Sequence, residues 1–486
     1  MKSTPSPSAS THKAAILAII LVSYVMIVLD ISIVLTGLSK MHADLGFTDA
    51  GLAWVSSAYT LAFGGFLLLA ARSGDILGRR RMLIIGLTVF ALASLAIGLA
   101  QNPSWLIMAR GAQGIGSAIL APSTLALLQT NFEPGPERTR ALSYYAAAAG
   151  VSASVGLVLG GVLADWLSWR VGFFINLPIS VIMIIAARRY IVETELGSAR
   201  IDVAGAFAST IGMVALVYGV IRSASTSWTD PVTLCSIAGG LLMLAMFVSI
   251  EARVAQPIMP LRLFADRERA AAYAARLLFL GANVGFYFFT TQYLQGVMGL
   301  SSAMAGMAFL PTTVVNFATA MTAPRLIVRF GNRQVLIASL FASLVGLVWM
   351  GLAASGGSLL MLTVPMMLIG VGQGGALGPL TAAGVVRVPL EDAGAASGVV
   401  NVAHQLGSSL GLAVLVAISS FGAGDLSGLP LLANRVAHAL EGGAVMTVLT
   451  LILALMFIAR SRTKVDSKSI DCGSAAASLN QPAIIE

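Results

Sequence analysis

The chain is 486 residues long; 57% of these are hydrophobic and only 10% are charged. With a mean hydropathy of +0.89, that composition excludes a water-soluble globular domain and specifies a chain that crosses a membrane many times. The formal net charge of +8 comes from basic residues scattered through short polar segments, a pattern of membrane orientation rather than of a nucleic-acid-binding stripe.

The first apolar run starts near Lys13. It is too long for a signal-peptide core, lacks a small-residue cleavage site and is followed by many similar runs, so it is expected to remain as the first span. Within it, "MIVLDISIVLTG" (Met26 to Gly37) carries Asp30. An acid at the bilayer centre costs about 2.5–3.5 kcal/mol on insertion scales, so a function or a partner is expected for it. Runs of roughly 20 apolar residues recur near 13–37, 49–71, 82–101, 105–130, 139–163, 169–187, 203–221, 231–250, 270–297, 302–324, 334–355, 359–386, 393–419 and 441–459. The expectation is therefore an all-α polytopic membrane protein with 14 transmembrane helices. With a cytoplasmic N-terminus, 23 Lys and Arg fall in cytoplasmic segments and four on the other side, while Arg110 and Arg276 lie in spans, which accounts for all 29. Both termini are thus expected in the cytoplasm of a cell, here the bacterial inner membrane.

Between spans two and three, "SGDILGRRRML" offers Asp75, a turn at Gly78 and the cations Arg79, Arg80 and Arg81, a candidate cytoplasmic gate or a plain topology anchor. On span four, Arg110, Gln113, Gly114 and Ser117 share one helix face at i, i+3, i+4 and i+7. A buried arginine there needs an anion, and Asp30 is the acid nearest a span centre. Either the two form a network whose pairing changes with protonation, or they form a static ion pair. Span five carries Ser152, Gly156, Gly160 and Ala164 at i+4 spacing, a close-packing seam expected to slide between halves. The charged loops near 188–202 and 251–269 divide the chain into six, two and six spans, and "ILGRRRML" has a degenerate echo in "RFGNRQVL" at the equivalent place of the second six. The expected layout is a tail 1–12, a six-helix bundle 13–190, a two-helix insert with its loops 191–269, a second six-helix bundle 270–460 and a tail 461–486. Related halves of this kind hold a midplane site and rock around it.

On span nine, Arg276 is expected to snorkel to the cytoplasmic edge. Gln129, Asn283, Gln292 and Asn316 read as cavity lining or interhelical bonds. Span thirteen places Ser397, Asn401, His404, Gln405 and Ser408 on one face, with His404 able to titrate near neutral pH. Cys235 and Cys472 form no disulfide framework, and no metal-ligand cluster or Ser/His/Asp arrangement appears. The glycines of "GVGQGGALG" lie inside an apolar helix, out of context for a nucleotide fingerprint, so transport is expected to run on an ion gradient without a cofactor.

These residues carry a resemblance. "LDISIVLTGL", "WVSSAYTLAFG" from Trp54, "GDILGRRR", "RGAQGIG", "GLVLGG", "WRVGFFINLP", "YLQGVMGLSSAMAGMAFLP" and "ASGVVNVAHQLGSSLG" follow in order, and over roughly Asp30 to Arg460 the chain resembles the major facilitator superfamily, within it the fourteen-span drug:proton antiporter family. The loop motif is matched at Asp75, Gly78, Arg79 and Arg80, with Ala71 and Ile76 in place of its Gly and Arg. The fourth-span motif, which the family associates with proton coupling, is matched at Arg110, Gln113 and Gly114, and the fifth-span antiporter motif at Gly156, Gly160 and Gly161, with Leu157 where proline is usual. His404 stands where an arginine is common.

The resemblance implies the major facilitator fold and proton-driven export of amphipathic, cationic drugs or antiseptics by a functional monomer that handles small molecules, protons and lipid but no nucleic acid. Asp30 would then alternate between a proton and the substrate cation, with Arg110, Gln113, Asn401 and His404 as candidates around it. A dedicated exporter of one metabolite, or an importer, shares the same machinery. A membrane-embedded enzyme would need convergent nucleophile, base or metal ligands, which the sequence does not offer.

Overall fold

The computed structural model describes residues 7–133, 136–193, 203–223, 226–254, 257, 259–353, 359–389, 393–421 and 426–458, and every regular element among them is helical. The first group is α1 (Pro7–Leu45), α2 (Asp49–Leu77), α3 (Arg79–Gly98), α4 (Pro103–Asn131), α5 (Pro136–Trp166) and α6 (Asn176–Tyr190). Then come α7 (Val203–Ser223) and α8 (Pro231–Glu251), followed by α9 (Arg267–Gln292), α10 (Leu310–Phe330), α11 (Asn332–Ala353), α12 (Leu359–Gly384), α13 (Ala393–Ser419) and α14 (Gly428–Phe457). Short helical turns, Val171–Phe174 and Ser302–Ala308, lead into α6 and α10.

Among the described residues, eleven helices are long and apolar enough to cross a membrane. The three other expected spans fall on α2, α5 and α7, whose apolar stretches Gly51–Leu67, Val155–Trp166 and Phe207–Ser223 are shorter. Local chemistry sets many of the ends. The Asn102 side chain accepts from Trp105 N ahead of Pro103 at the start of α4, and Asp230 accepts from Thr233 N ahead of Pro231 at the start of α8. Gly78 adopts φ 96° between α2 and α3, a turn that a side chain would strain. Helix α14 starts at Gly428, well before the apolar run that hydropathy marks from 441, so Glu441 lies inside a helix, 3.2 Å from His438.

Packing divides the molecule by depth. The face holding the start of α1 and the end of α14 is here called the terminal face. On the opposite side, one continuous apolar core joins both groups of helices, including Leu38, Met41, Trp169 and Phe173 from the first and Phe286, Phe309, Leu412 and Val436 from the second. Toward the terminal face this core splits. One cluster there draws only on α1–α6 and their flanks, through residues such as Ile20, Leu87 and Leu127. The second group has its own clusters, around Phe279, Leu336 and Leu380 and around Tyr273 and Val399. The two groups therefore share one core on the far side and keep separate cores on the terminal side, where α2 still meets α13 at Gly64 and Gln405. The far-side weld includes Asp165 at the end of α5, which accepts from the backbone N–H of Ser302 (3.3 Å) and Ala303 (2.7 Å), and Gln295, which donates to the Thr36 carbonyl at 3.1 Å. Helices α7 and α8 pack on each other through Gly212, Gly219 and Gly240, and α7 reaches α2 by Phe207 against Phe66.

Candidate functional site

Asp30 is 2% exposed and Arg110 1%, deep among α1, α3, α4 and α6. Arg110 Nη1 donates to Asp30 Oδ2 at 2.7 Å and to Gln113 Oε1 at 2.5 Å, and its Nε donates to the Val55 carbonyl at 2.9 Å. The second carboxylate oxygen, Oδ1, accepts from Gln113 Nε2 at 2.8 Å and from Asn176 Nδ2 at 3.2 Å. Ser94 Oγ accepts from both of those amides, at 2.9 and 3.3 Å. The guanidinium also lies 4.4 Å from the Tyr59 ring centroid, and the Tyr59 hydroxyl donates to Ser117 Oγ at 2.7 Å. Both carboxylate oxygens of Asp30 and the Nε and Nη1 of Arg110 are thus paired with protein groups, which offsets part of the desolvation of a buried pair.

The depth of this network is fixed by its neighbours. Along α1, Ile27 belongs to the terminal-side core and Val34 to the far-side core, with Asp30 between them. Along α3, Phe90 and Ile97 flank Ser94 in the same way. The network therefore lies at the junction where the shared core gives way to separate ones.

Sequence spacing identified Asp30, Arg110 and Gln113, and the structure brings these three together. It adds Asn176 and Ser94, whose only sequence signal was a polar residue in an apolar run. The α5 glycines act mainly on α1. A Cβ at Gly156 would come within 2.6 Å of Ser32 Cβ, and one at Gly160 within 2.6 Å of Ile33 Cα, so α5 presses directly on the helix that carries Asp30. The contact of α5 with the second group is made by the adjacent face: Gly161 lies against Ser302 and Ala303, and Gly306 against the Leu157 carbonyl.

At the loop between α2 and α3, the Asp75 side chain falls outside the described residues. Arg79 Nη1 donates to the Ala126 carbonyl at 3.1 Å and Arg80 Nη1 to the Ile191 carbonyl at 3.2 Å, both within the first group of helices. The acid that meets this loop is Glu193, which accepts from the backbone N–H of Arg80 (3.0 Å) and Arg81 (3.1 Å) at the start of α3. In the sequence Glu193 is one of several charged residues of the loop near 188–202, with nothing local to mark it.

His404 and Asn401 do not join the Asp30 network. Asn401 is exposed and donates to the Ser397 carbonyl. His404 Nδ1 lies 3.2 Å from Arg276 Nη2. Arginine can only donate, so Nδ1 is the acceptor and carries no proton in this state. Arg276 does not snorkel: it is 7% exposed and its Nη1 donates to Thr381 Oγ1 at 2.7 Å, because neighbouring helices supply acceptors inside the bundle. A neutral cluster sits on the same set of helices, with Tyr287 OH donating to Gln373 Oε1 at 2.9 Å and Asn316 Nδ2 to the same atom at 3.3 Å. Among the described residues no group of His, Cys, Asp and Glu has metal-binding geometry.

This arrangement, two helix groups around a buried mid-depth ion pair with a shared core on one side and separate cores on the other, is that of a transporter. Residues 20–412 match the profile of the Major Facilitator Superfamily. The chain belongs to that superfamily. Its members are transporters rather than enzymes, and the chain is a multi-pass membrane protein. It is 37% identical over 448 residues to the cephamycin export protein CmcT of Amycolatopsis lactamdurans, covering 91% of this chain and 92% of the relative. It is 37% identical over 410 residues to the puromycin resistance protein pur8 of Streptomyces alboniger, covering 83% and 81%. The multidrug resistance protein Stp of Mycobacterium tuberculosis is 34% identical over 391 residues, covering 80% and 73%. Among solved structures, a bacterial homologue of the human lysosomal transporter Spinster in an inward-facing, occupied conformation aligns with TM-score 0.63 at 14% identity, covering 93% of this chain and 97% of that one. A peptide transporter, POT, aligns with TM-score 0.65 at 16% identity, covering 90% and 93%. At those identities the superfamily fold is what is shared.

Proposed function

We propose that this chain exports amphipathic antibiotics or drugs from the cytoplasm in exchange for protons, by alternating access around the Asp30 network. The observation that carries the reading is the sealed Asp30–Arg110 pair with Gln113 and Asn176 at the junction of shared and separate cores. A carboxylate and a guanidinium paired out of water lose most of their mutual attraction when the carboxylate takes a proton, so the state of the pair is tied to protonation. Gly156 and Gly160 pass that change to α5, whose next face meets the other helix group at Ser302 and Gly306. Protonation of Asp30 would loosen α1 from α4 and bias the far-side weld, and deprotonation would restore the closed network seen here. The scheme needs no cofactor, only a proton gradient, and one chain contains both halves of the cycle.

Orientation follows from charge. The excess of Lys and Arg, 23 against four, falls on the terminal-face side, which supports a cytoplasmic position for both termini. The two-helix insert 191–269 would then be a peripheral support, with α7 resting on α2. Cargo would enter from the cytoplasm on the terminal side, where the two groups keep separate cores and can rock apart.

The names of the relatives concern cephamycin export, puromycin resistance, and tetracenomycin C resistance and export. Because those names are tied to single compounds, a narrow exporter of one metabolite is the second reading. The test is accumulation of puromycin and a panel of fluorescent amphipathic dyes in cells with and without the gene, before and after a protonophore. Lower accumulation in energised expressing cells, abolished by the protonophore, is expected for at least one compound. Higher accumulation in energised expressing cells would reverse the direction, and protonophore-insensitive export would remove the coupling.

A further inference from the structure

Arg276 differs from Arg110 in a respect that bears on cargo: among the described residues no acid faces it. Arg276 stands nine residues beyond the start of α9, roughly 14 Å along the helix at 1.5 Å per residue. Its neighbours are a hydroxyl, Thr381 Oγ1, and a neutral imidazole nitrogen, His404 Nδ1. Its Nε is buried without a hydrogen-bond partner. Among the described residues no carboxylate lies within 4.0 Å of it, whereas Arg110 has Asp30 at 2.7 Å. An intramembrane cation held in place by neutral groups lacks its counter-ion, and the Nε edge of a guanidinium is a side on which a carboxylate docks with two parallel hydrogen bonds.

The location fits a ligand site. Ala275 and Phe279 belong to the terminal-side core of the second helix group, so Arg276 lies on the side where the two groups keep separate cores. Thr381 and Asn401 are exposed there, and polar side chains at that depth face water or cargo rather than lipid. Gln405, beside His404 on α13, meets Gly64 on α2, so this part of α13 is turned toward the opposite group. Both Asp30 oxygens, by contrast, are already occupied, so a cationic substrate would have to displace Arg110 or two amides to reach one.

We propose that Arg276, positioned by Thr381 and His404, is the binding site for a carboxylate carried by the exported substrate, so that the preferred cargo is an amphipathic acid. This rests on the export reading for its physiological meaning, but binding tests it separately. The full chain is placed in phosphatidylcholine nanodiscs, and binding of dansyl-phenylalanine and of its neutral methyl ester is followed by energy transfer from tryptophan. Wild type is expected to bind the acid at least tenfold more tightly than the ester. Arg276→Gln should abolish that preference while leaving ester binding within twofold, Arg276→Lys should keep part of it, and Thr381→Val should weaken the acid alone by a few fold. Thermal unfolding of each variant confirms that it is folded, and the Thr381→Val result stands if Arg276→Gln is not. Equal binding of acid and ester by wild type, or a preference that survives in Arg276→Gln, would overturn the assignment. So would competition by added phosphatidylglycerol that depends on Arg276, because the occupant would then be a lipid phosphate. If the acid binds as expected and no proton-driven transport of it is found, the site stands and the export reading fails instead.

Discussion

Arg110 and Arg276 are both arginines buried inside spans, and the difference between them separates two tasks. Arg110 is closed by Asp30, Gln113 and the Val55 carbonyl in a network whose acceptors and donors answer one another. Arg276 is held by Thr381 and His404, with no acid, and its Nε is unmatched. A saturated pair changes when a proton arrives. An unsaturated cation changes when an anion arrives. On the proposed reading, placing the first in one helix group and the second in the other would let proton and cargo act on opposite sides of the interface that must move.

The largest effect that distinguishes the two is on stability. Arg110→Ala leaves Asp30 buried without its counter-ion and is expected to destabilise the fold by about 3–5 kcal/mol. Arg276→Gln strands no buried acid and should shift the thermal midpoint far less. Equal shifts in detergent would mean that Arg276 has a hidden partner. Next comes the coupling between the network and the moving interface. In Gly160→Val the added side chain would press on Ile33 Cα and Thr36 Oγ1, at 2.6 Å already for its Cβ, an overpacking worth about 1–3 kcal/mol. Transport should fall by an order of magnitude or more while binding of cargo persists; unchanged turnover would remove α5 from the mechanism.

A third test sharpens the assignment of charge. If one proton enters for each monoanion that leaves, two charges move in the same sense, so an inside-negative potential should speed export of an amphipathic acid in proteoliposomes. Exchange for a monocation would move none, and insensitivity to the potential would contradict the acid assignment. The smallest effect concerns a clamp on the terminal face. Burial opposes ionisation of Asp266, but hydrogen bonds from Arg387 and from the backbone N–H groups of Arg269 and Glu268 outweigh it and hold its carboxyl below the usual range. A depressed acid contributes stability above its unfolded value and loses it as the pH falls through the folded one. The wild-type thermal midpoint should therefore fall more than that of Asp266→Asn when the pH is lowered below about 4; parallel curves would mean that the clamp contributes nothing.

How far these features could be read from sequence follows physical lines. Hydropathy located the spans because length and apolarity are properties of one segment, yet it misplaced the start of α14, since a helix can run past the apolar part that a membrane demands. The shared face of Arg110 and Gln113 followed from helical spacing, and their link to Asp30 from the scarcity of buried acids. Asn176 and Ser94 lie on other helices and look like ordinary polar residues, so only tertiary structure shows that they bond to the same network. The α5 glycines marked a close-packed face but not the neighbour that fills it. For Arg276, 128 residues from His404 in the chain, nothing local announced a partner, and a snorkelling side chain was the natural expectation.

The most direct test of the central claim is proton-gradient-driven export by purified protein in proteoliposomes, wild type beside Asp30→Asn, with equal amounts and orientation. The asparagine keeps the shape and most of the hydrogen bonds but cannot exchange a proton, so gradient-driven export should disappear while cargo still equilibrates or binds. If Asp30→Asn exports cargo against its gradient as fast as wild type, Asp30 is a structural partner of Arg110 and the coupling group lies elsewhere.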